Sequence, residues 1–254
     1  MMRLMVDIGN STISLGLFAD KELLRTSYVS MMPHHSAEQY AAEFASVLDI
    51  SRTDIDGAAV SSVVAPLTSV VCTALERGFG VRPLTVHPGV KTGLNIRLSN
   101  AVHLGSDFVC AAVGALAAYP PPLVIADLGT ATTVMGIHAD GRLLGTSIMP
   151  GVGTGAQALK TAAANLPLTG AEMPTSLLGV NTVDAMKSGL VFGTASMLDG
   201  MCARYERELG GKATRILTGG YAERIYPACE GAYILRPHLV LEGLHAIYLK
   251  NRKD

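Results

Sequence analysis

The stretch VDIGNST at residues 6–12 decides the fold, because a stretch of the same design, ADLGTAT, follows it at residues 126–132. When the sequence is slid by 120 positions, residues 4–27 lie on residues 124–147 without a gap. The polar residues of the turn, including an aspartate, a glycine and a threonine, are retained together with the apolar positions. Duplication of a core alone would retain the apolar positions first, so this pattern indicates a duplicated functional unit.

Each copy of the repeat is typical of three consecutive strands. A short apolar run leads into a turn rich in small and hydroxyl residues, which tolerate a tight backbone, and a second apolar strand follows. The turn before the third strand carries Asp140-Gly141 in the second copy, a hairpin signature.

The rest of the chain alternates helical and strand patterns. These predict helices at residues 36–48, 66–78, 107–118, 154–165, 181–208 and 239–250, and strands at residues 57–63 and 215–217. The sequence therefore predicts a duplicated α/β protein with two lobes, residues 1–119 and 120–254, divided near the prolines at residues 120–122. Duplicated lobes would place their turns across a shared cleft.

The composition excludes several classes of function. Hydrophobic residues make up 49% and charged residues 16% of the chain, so a large core is expected. A formal net charge of -1 gives no general attraction to nucleic acid or to an anionic membrane. The four cysteines are far apart and no apolar run is long enough for a membrane span, so a cytoplasmic protein is expected.

The two turns have the chemistry of a phosphate site. Gly9 allows close approach of backbone N–H groups to an anion, and Asn10, Ser11 and Thr12 add side-chain donors. Thr130, Thr132 and Thr133 are the corresponding donors of the second copy. Asp7 and Asp127 would repel phosphate directly, so they predict a cation between carboxylate and phosphate, as in Mg²⁺-dependent phosphoryl transfer.

This arrangement resembles that of the actin-like ATPase and sugar-kinase superfamily, whose fold is ribonuclease H-like with a nucleotide cleft between two lobes. That superfamily has a third element, a glycine turn that holds the adenine and ribose. Gly219 and Gly220 fit this element, because they follow a predicted strand in the expected order.

Along nearly its whole length the chain resembles the type III pantothenate kinases. The motifs that carry the resemblance are DIGNST (7–12), SSVVAPL (61–67), TGLNIR (92–97), LGSD (104–107), DLGTATT (127–133), MPG (149–151), GVNTVDAMKSG (179–189), TGGYAE (218–223) and LVLEGL (239–244). The resemblance implies transfer of the γ-phosphoryl group of ATP to the 4′-hydroxyl of pantothenate, the first step of coenzyme A synthesis.

The resemblance also implies roles for individual residues. Asp107 would be the catalytic carboxylate that orients the acceptor hydroxyl, Asp127 a ligand of a monovalent cation (K⁺ or NH₄⁺), and Asp7 a ligand of Mg²⁺ through phosphate or water. Thr182 would reach pantothenate from a neighbouring subunit, which implies a homodimer. The implied ATP contacts are Asp7, Ile8, Gly9, Asn10, Ser11, Thr12, Ile13, Ser14, Thr130, Gly219 and Gly220, and the implied acceptor contacts are Leu98, Gly105, Ser106, Asp107, Phe108 and Thr182.

The chain departs from the family where the acceptor would bind. The family has arginine after the catalytic aspartate and a tyrosine near an Asn-Pro pair, whereas this chain has Phe108 and Leu98 and lacks the proline. Arg97 or Lys160 could supply the missing cation. The alternatives are a kinase of the same fold for another small alcohol and a non-catalytic, nucleotide-binding regulatory homologue.

Overall fold

The computed structural model describes residues 2–31, 35–51, 53–97, 104–163 and 165–252. The strands are β1 (Met2–Ile8), β2 (Thr12–Ala19), β3 (Glu22–Ser30), β4 (Ile55–Ser62), β5 (Leu84–Thr85), β6 (Asn95–Ile96), β7 (Leu123–Leu128), β8 (Ala131–Ile137), β9 (Arg142–Pro150), β10 (Thr214–Thr218) and β11 (Ile234–Leu235). The helices are α1 (Ala37–Leu48), α2 (Ala65–Phe79), α3 (Ser106–Ala118), α4 (Val152–Ala162), α5 (Thr182–Ser188), α6 (Thr194–Glu208), α7 (Ala222–Ile225) and α8 (Leu239–Asn251).

The described chain forms two compact units. Unit 1 comprises residues 1–94, 100–118 and 239–254, and unit 2 comprises residues 95–99 and 119–238. Relative to the predicted lobes, α8 belongs to the first unit and the short strand β6 to the second. Each unit has its own buried apolar core.

The two sheets have the same order of strands, so the predicted duplication is confirmed. Unit 1 has the order β3-β2-β1-β4-β5, and unit 2 has β9-β8-β7-β10-β11, with β6 added beside β9. In each unit the first three strands are antiparallel and the central strand pairs in parallel with the fourth. The duplicated α/β fold predicted from the repeat is therefore the fold of this chain.

The repeat that is gapless in sequence conceals a difference in register. In unit 1 the strand ends Ile8 and Ile13 are paired, whereas in unit 2 Leu128 is paired with Thr132, so the second turn is shorter by one residue. At the other end of the strand, Ala19 pairs with Glu22, whereas His138 donates its amide to the carbonyl of Arg142, so that turn is longer by one. The two differences cancel in length.

Local sequence explains the start of α1. Ser36 caps α1 as predicted, and it forms a capping box with Gln39. The helix predicted at residues 181–208 is interrupted by a π-helical segment, Gly189–Gly193, which has a glycine at each end. The two-residue strands β5, β6 and β11 were not predicted, because they are too short to show alternation.

Helices α3 and α8 cross at very short distance within unit 1. A Cβ atom at Gly243 would collide with the carbonyl oxygen of Cys110, and one at Gly114 would collide with the carbonyl oxygen of Leu239. Only glycine permits this approach, which fixes α3 against α8. Within the described residues, no helix has the length and hydropathy required to cross a membrane.

Candidate active site

The turn between β1 and β2 presents polar groups at the surface of unit 1. The amide of Gly9 donates to the carbonyl oxygen of Thr12 at 3.0 Å, which closes the turn, and the side chains of Asn10, Ser11 and Thr12 are exposed. Ile8 and Ile13, which flank the turn, have no exposed surface because they belong to the core. Neither residue therefore offers a surface that ATP could contact, in contrast to the contacts that the resemblance implies.

Asp7 lies beside the carboxyl end of β4. Its Cα partner in the parallel pairing of β1 and β4 is Ser61, which is fully buried. The carboxyl ends of parallel strands are the usual place for a ligand site in α/β folds.

Asp107 is the second residue of α3, so it is not the N-cap of that helix. Its Oδ1 atom accepts a hydrogen bond from the amide of Phe108 at 2.9 Å. Burial raises the pKa of the Asp107 carboxyl above its ordinary value, although that hydrogen bond acts in the opposite direction. A carboxyl with a raised pKa is a better proton acceptor than an exposed aspartate.

Asp7 and Asp107 lie in the same part of unit 1, because the pairing partner of Asp7, Ser61, has its Oγ atom 3.0 Å from Oγ of Ser106, the residue before Asp107. The thiol of Cys110 is buried in this unit. Burial raises the pKa of this thiol, the negative charge of Asp7 raises it further, a hydrogen bond with Ser61 opposes the change, and Asp107 contributes a smaller increase. Both carboxylates therefore act electrostatically on one side chain. The structure thus brings together two of the acidic residues predicted from the sequence.

The residues around Asp107 fix its side chain. A Cβ atom at Gly105 would collide with Oδ1 of Asp107, so the glycine leaves room for the observed position of the carboxylate. The Oγ atom of Ser106 lies 2.8 Å from the amide nitrogen of Ser62. Phe108 is partly buried, and Leu98 lies outside the described residues.

In unit 2, Asp127 lies against the glycine turn that follows β10. Asp127 pairs with Thr218 in the sheet. The next residue, Gly219, has a φ of +95°, and a Cβ atom there would collide with Oδ1 of Asp127. A Cβ atom at Gly220 would meet no atom within 4 Å. Two of the predicted elements, the second aspartate and the glycine turn, are thus adjacent.

Thr130 belongs to the turn between β7 and β8 and lies beside the start of α4. Its carbonyl oxygen accepts hydrogen bonds from the amide of Gly151 at 3.2 Å and from Oγ1 of Thr154 at 2.6 Å. Thr132, expected to be a donor, has no exposed surface, and its Oγ1 atom has no hydrogen-bond partner. That expectation is wrong, because the shorter turn places Thr132 where Ile13 lies in unit 1, facing the core.

Thr182 is an exposed residue of the first turn of α5, and Asn181 caps that helix by accepting from the amide of Asp184. Thr182 lines an open groove of about 820 Å³ between α4 and the segment formed by α5 and the π-helical turn. The other residues that line this groove are mostly apolar: Gly155, Ala158, Leu159, Ala162, Leu166, Ala185, Met186, Gly189 and Leu190. The side chains of Arg97 and Lys160 are exposed.

The donors present suit a hard cation. Carboxylate oxygens are the usual protein ligands of Mg²⁺, which takes one or two of them and completes its shell with water and substrate phosphate. Asp7 at the end of β1 fits this pattern, and Gly219 leaves space beside the Asp127 carboxylate. In the part of the chain that the structure describes, no three His, Cys, Asp or Glu side chains converge as a metal-binding group.

Sequence reasoning did not single out Ser61 and Ser62 as site residues. They end β4. The hydroxyl of Ser61 and the backbone of Ser62 contact Ser106 at the start of α3. The signal that could have found them is a pair of polar residues where a buried strand ends, next to the strand that carries Asp7.

Comparison with known proteins places the chain among kinases. The family model for type III pantothenate kinase matches residues 3–204. A type III pantothenate kinase of Roseiflexus sp. is 37% identical over 254 residues, covering 99% of this chain and 100% of the relative. The enzyme of Moorella thermoacetica is 36% identical over 253 residues, covering 98% and 100%.

Solved structures agree with the observed fold. A putative Baf family transcriptional activator from Campylobacter jejuni has a TM-score of 0.62 at 18% identity, with 98% of each chain covered. Component A of the (R)-2-hydroxyglutaryl-CoA dehydratase of Acidaminococcus fermentans has a TM-score of 0.52 at 15% identity, covering 98% and 97%. At these identities they show only the fold, which is the duplicated actin-like one. On the strength of the family match and of its full-length relatives, the chain belongs to the type III pantothenate kinase family.

Proposed function

We propose that this protein transfers the γ-phosphoryl group of ATP to the 4′-hydroxyl of pantothenate, the first step of coenzyme A synthesis. The observation that carries the proposal is the partly buried Asp107 carboxylate at the start of α3, in a chain whose relatives at 35–37% identity are named type III pantothenate kinases. The two alternatives, a kinase for another alcohol and a non-catalytic regulator, are not favoured.

Residues of each unit have a role in the proposed reaction. The turn from Asp7 to Ser14, together with Thr130, Gly219 and Gly220, holds ATP. Mg²⁺, when bound, would neutralise part of the negative charge of the ATP phosphates. The Asp107 carboxylate orients the hydroxyl and accepts its proton while the bond from that oxygen to the γ-phosphorus forms. In the same in-line transfer the bond from the γ-phosphorus to the bridging oxygen breaks, and ADP leaves with its electron pair.

Further parts of the proposal concern the cation and the acceptor. Asp127 holds a monovalent cation, K⁺ or NH₄⁺, and Asp7 holds Mg²⁺ through phosphate or water. Leu98, Gly105, Phe108 and Thr182 contact pantothenate, with Arg97 or Lys160 as the cation for its carboxylate. The nucleotide cleft predicted between the two lobes and the cytoplasmic location stay predictions.

A homodimer also belongs to the proposal, with Thr182 reaching the acceptor of the neighbouring subunit. The segment that precedes α5 supports it, since its residues Leu177, Leu178 and Val180 are 63%, 79% and 91% exposed. Exposed apolar surface of this kind marks an interaction site.

A coupled assay of ADP release, with Mg²⁺ and either K⁺ or Na⁺, tests the function. We expect turnover to depend on pantothenate, and absence of such turnover at saturating substrate would refute the proposal. We expect Asp107→Asn to lower kcat by about 10²- to 10⁴-fold, the range for removal of a general base. Calorimetry should show that this variant still binds ATP; normal turnover of Asp107→Asn would refute the role of Asp107.

A further inference from the structure

The hydroxyl of Ser106 joins the start of α3 to the end of β4. Its Oγ atom donates to the carbonyl oxygen of Ser62 at 3.0 Å and accepts from the amide of the same residue at 2.8 Å. It also lies 3.0 Å from Oγ of Ser61. One side chain therefore binds both backbone groups of the last residue of the strand.

These contacts occupy the one hydrogen that the Ser106 hydroxyl can donate. A hydroxyl has one hydrogen to donate and two lone pairs to accept with. The single hydrogen of Ser106 has two acceptors in reach, the Ser62 carbonyl and the Ser61 hydroxyl, and a lone pair of its Oγ atom receives the Ser62 amide. Ser61 has no exposed surface. Ser106 consequently has no donor left for an acceptor substrate, although the resemblance implied a substrate contact.

The end of β4, to which Ser106 is bonded, is also hydrogen-bonded to α2. The Oγ1 atom of Thr68 lies 2.7 Å from Oγ of Ser62, and the amide of Val64 donates to the same oxygen at 3.1 Å. The end of β4 that binds Ser106 is therefore itself hydrogen-bonded to α2 and to the residue before it.

We propose that Ser106 is a positioning residue, whose hydroxyl fixes the first turn of α3 on β4 and so sets the location of the Asp107 carboxylate. The carboxylate itself is bound locally, by the amide of the next residue, Phe108. Its place relative to the sheet and to Asp7 depends on how the helix start is attached. This inference rests on the proposed function, in which Asp107 orients the hydroxyl.

Kinetics of Ser106→Ala separate the two roles of the serine. We expect kcat to fall by about 10- to 100-fold, since a misplacement near 1 Å costs up to about 10²-fold, while the KM values for ATP and pantothenate change less than the kcat. Ser106→Thr keeps the hydroxyl and should recover most of the kcat. A raised pantothenate KM with unchanged kcat would instead make Ser106 a substrate contact and overturn the inference.

Ser69→Ala is the matched control. Ser69 is an exposed serine of α2 whose hydroxyl donates to the carbonyl oxygen of Pro66 in the same helix. We expect wild-type kinetics from this variant. If Ser106→Ala does not fold, Thr68→Val removes the hydroxyl that binds Oγ of Ser62, the residue to which Ser106 is bonded. We expect this variant to lower kcat by several-fold. An unchanged kcat would count against the inference.

A measurement without turnover makes the test independent of the proposed reaction. The pKa of the Asp107 carboxyl can be followed by ¹³C NMR titration in the wild type, Ser106→Ala and Ser69→Ala. We expect the raised pKa to move towards the ordinary value in Ser106→Ala alone. An unchanged pKa would overturn the positioning role, whereas absence of pantothenate-dependent turnover in the wild type would overturn only the proposed function.

Discussion

Gly219 lies directly against the carboxylate of Asp127, so close that a Cβ atom on the glycine would collide with Oδ1 of the aspartate. The φ of +95° at Gly219 is also one that residues with a Cβ atom rarely adopt. We therefore expect Gly219→Ala to weaken ATP binding by at least about tenfold and to lower the free energy of unfolding by about 1–3 kcal/mol. Calorimetry and urea denaturation measure these effects. Gly220→Ala is the stability control, because its Cβ atom would meet open space. An equal loss of unfolding free energy in the two variants would contradict the prediction.

Phe108 provides a direct test of the acceptor. The family has arginine at this position, and a guanidinium binds a carboxylate with charge-assisted hydrogen bonds that phenylalanine cannot form. We expect Phe108→Arg to lower the pantothenate KM about tenfold or more, since such a bond contributes about 1.5–3 kcal/mol. Phe108→Leu controls for loss of the ring. No change of KM in Phe108→Arg would indicate that another residue binds the carboxylate or that the acceptor is not anionic.

Gly243 tests the crossing of α3 and α8. A Cβ atom at this position would collide with the carbonyl oxygen of Cys110, which cannot move without moving α3. We expect Gly243→Ala to lower the free energy of unfolding by about 2–3 kcal/mol, as overpacking of a core does. Gly200→Ala is the control, because this glycine of α6 has open space where a Cβ atom would be. We expect this variant to leave the free energy of unfolding unchanged or slightly raised. Equal stability of the two variants in urea denaturation would exclude a tight crossing.

His245 predicts a loss of stability in acid. Its ring stacks on Phe18 with 4.2 Å between ring centroids, and its Nε2 atom is buried without a hydrogen-bond partner. Burial, followed by the charge of Arg3, lowers its pKa to about 4 from 6.5. The unfolded chain takes up a proton first as the pH falls, so stability is full above pH 6.5 and decreases from there to about pH 4.

The size of this effect can be isolated with His245→Phe, which keeps a ring at the stacking position. The free energy of unfolding should be measured from pH 7 to pH 4. We expect it to fall less in this variant than in the wild type, the difference between the two falls being up to about 3 kcal/mol. His87→Gln, at an exposed histidine, should follow the wild type. Parallel curves for His245→Phe and the wild type would show that His245 does not contribute.

The sequence predicted the elements whose signals are local and repeated. The alternation of the strands, the cap at Ser36 and the order of the two repeats all depend on neighbouring residues, and the structure agrees with them. The membership of α8 in unit 1 was not predicted, because it depends on contacts between residues far apart in the chain. The same holds for the network at Ser106, where a strand end and a helix start 44 residues later meet.

The opposite changes in length at the two ends of β8 limit what internal homology can assign. A shift of one residue along a strand turns every side chain to the other face, so Thr132 corresponds to buried Ile13 and not to exposed Thr12. An insertion and a deletion that cancel leave no gap for an alignment to detect. Ancestry inferred for residues of β8 from the matching letters would therefore be wrong by one position, and roles transferred between the two halves should follow hydrogen-bond register instead.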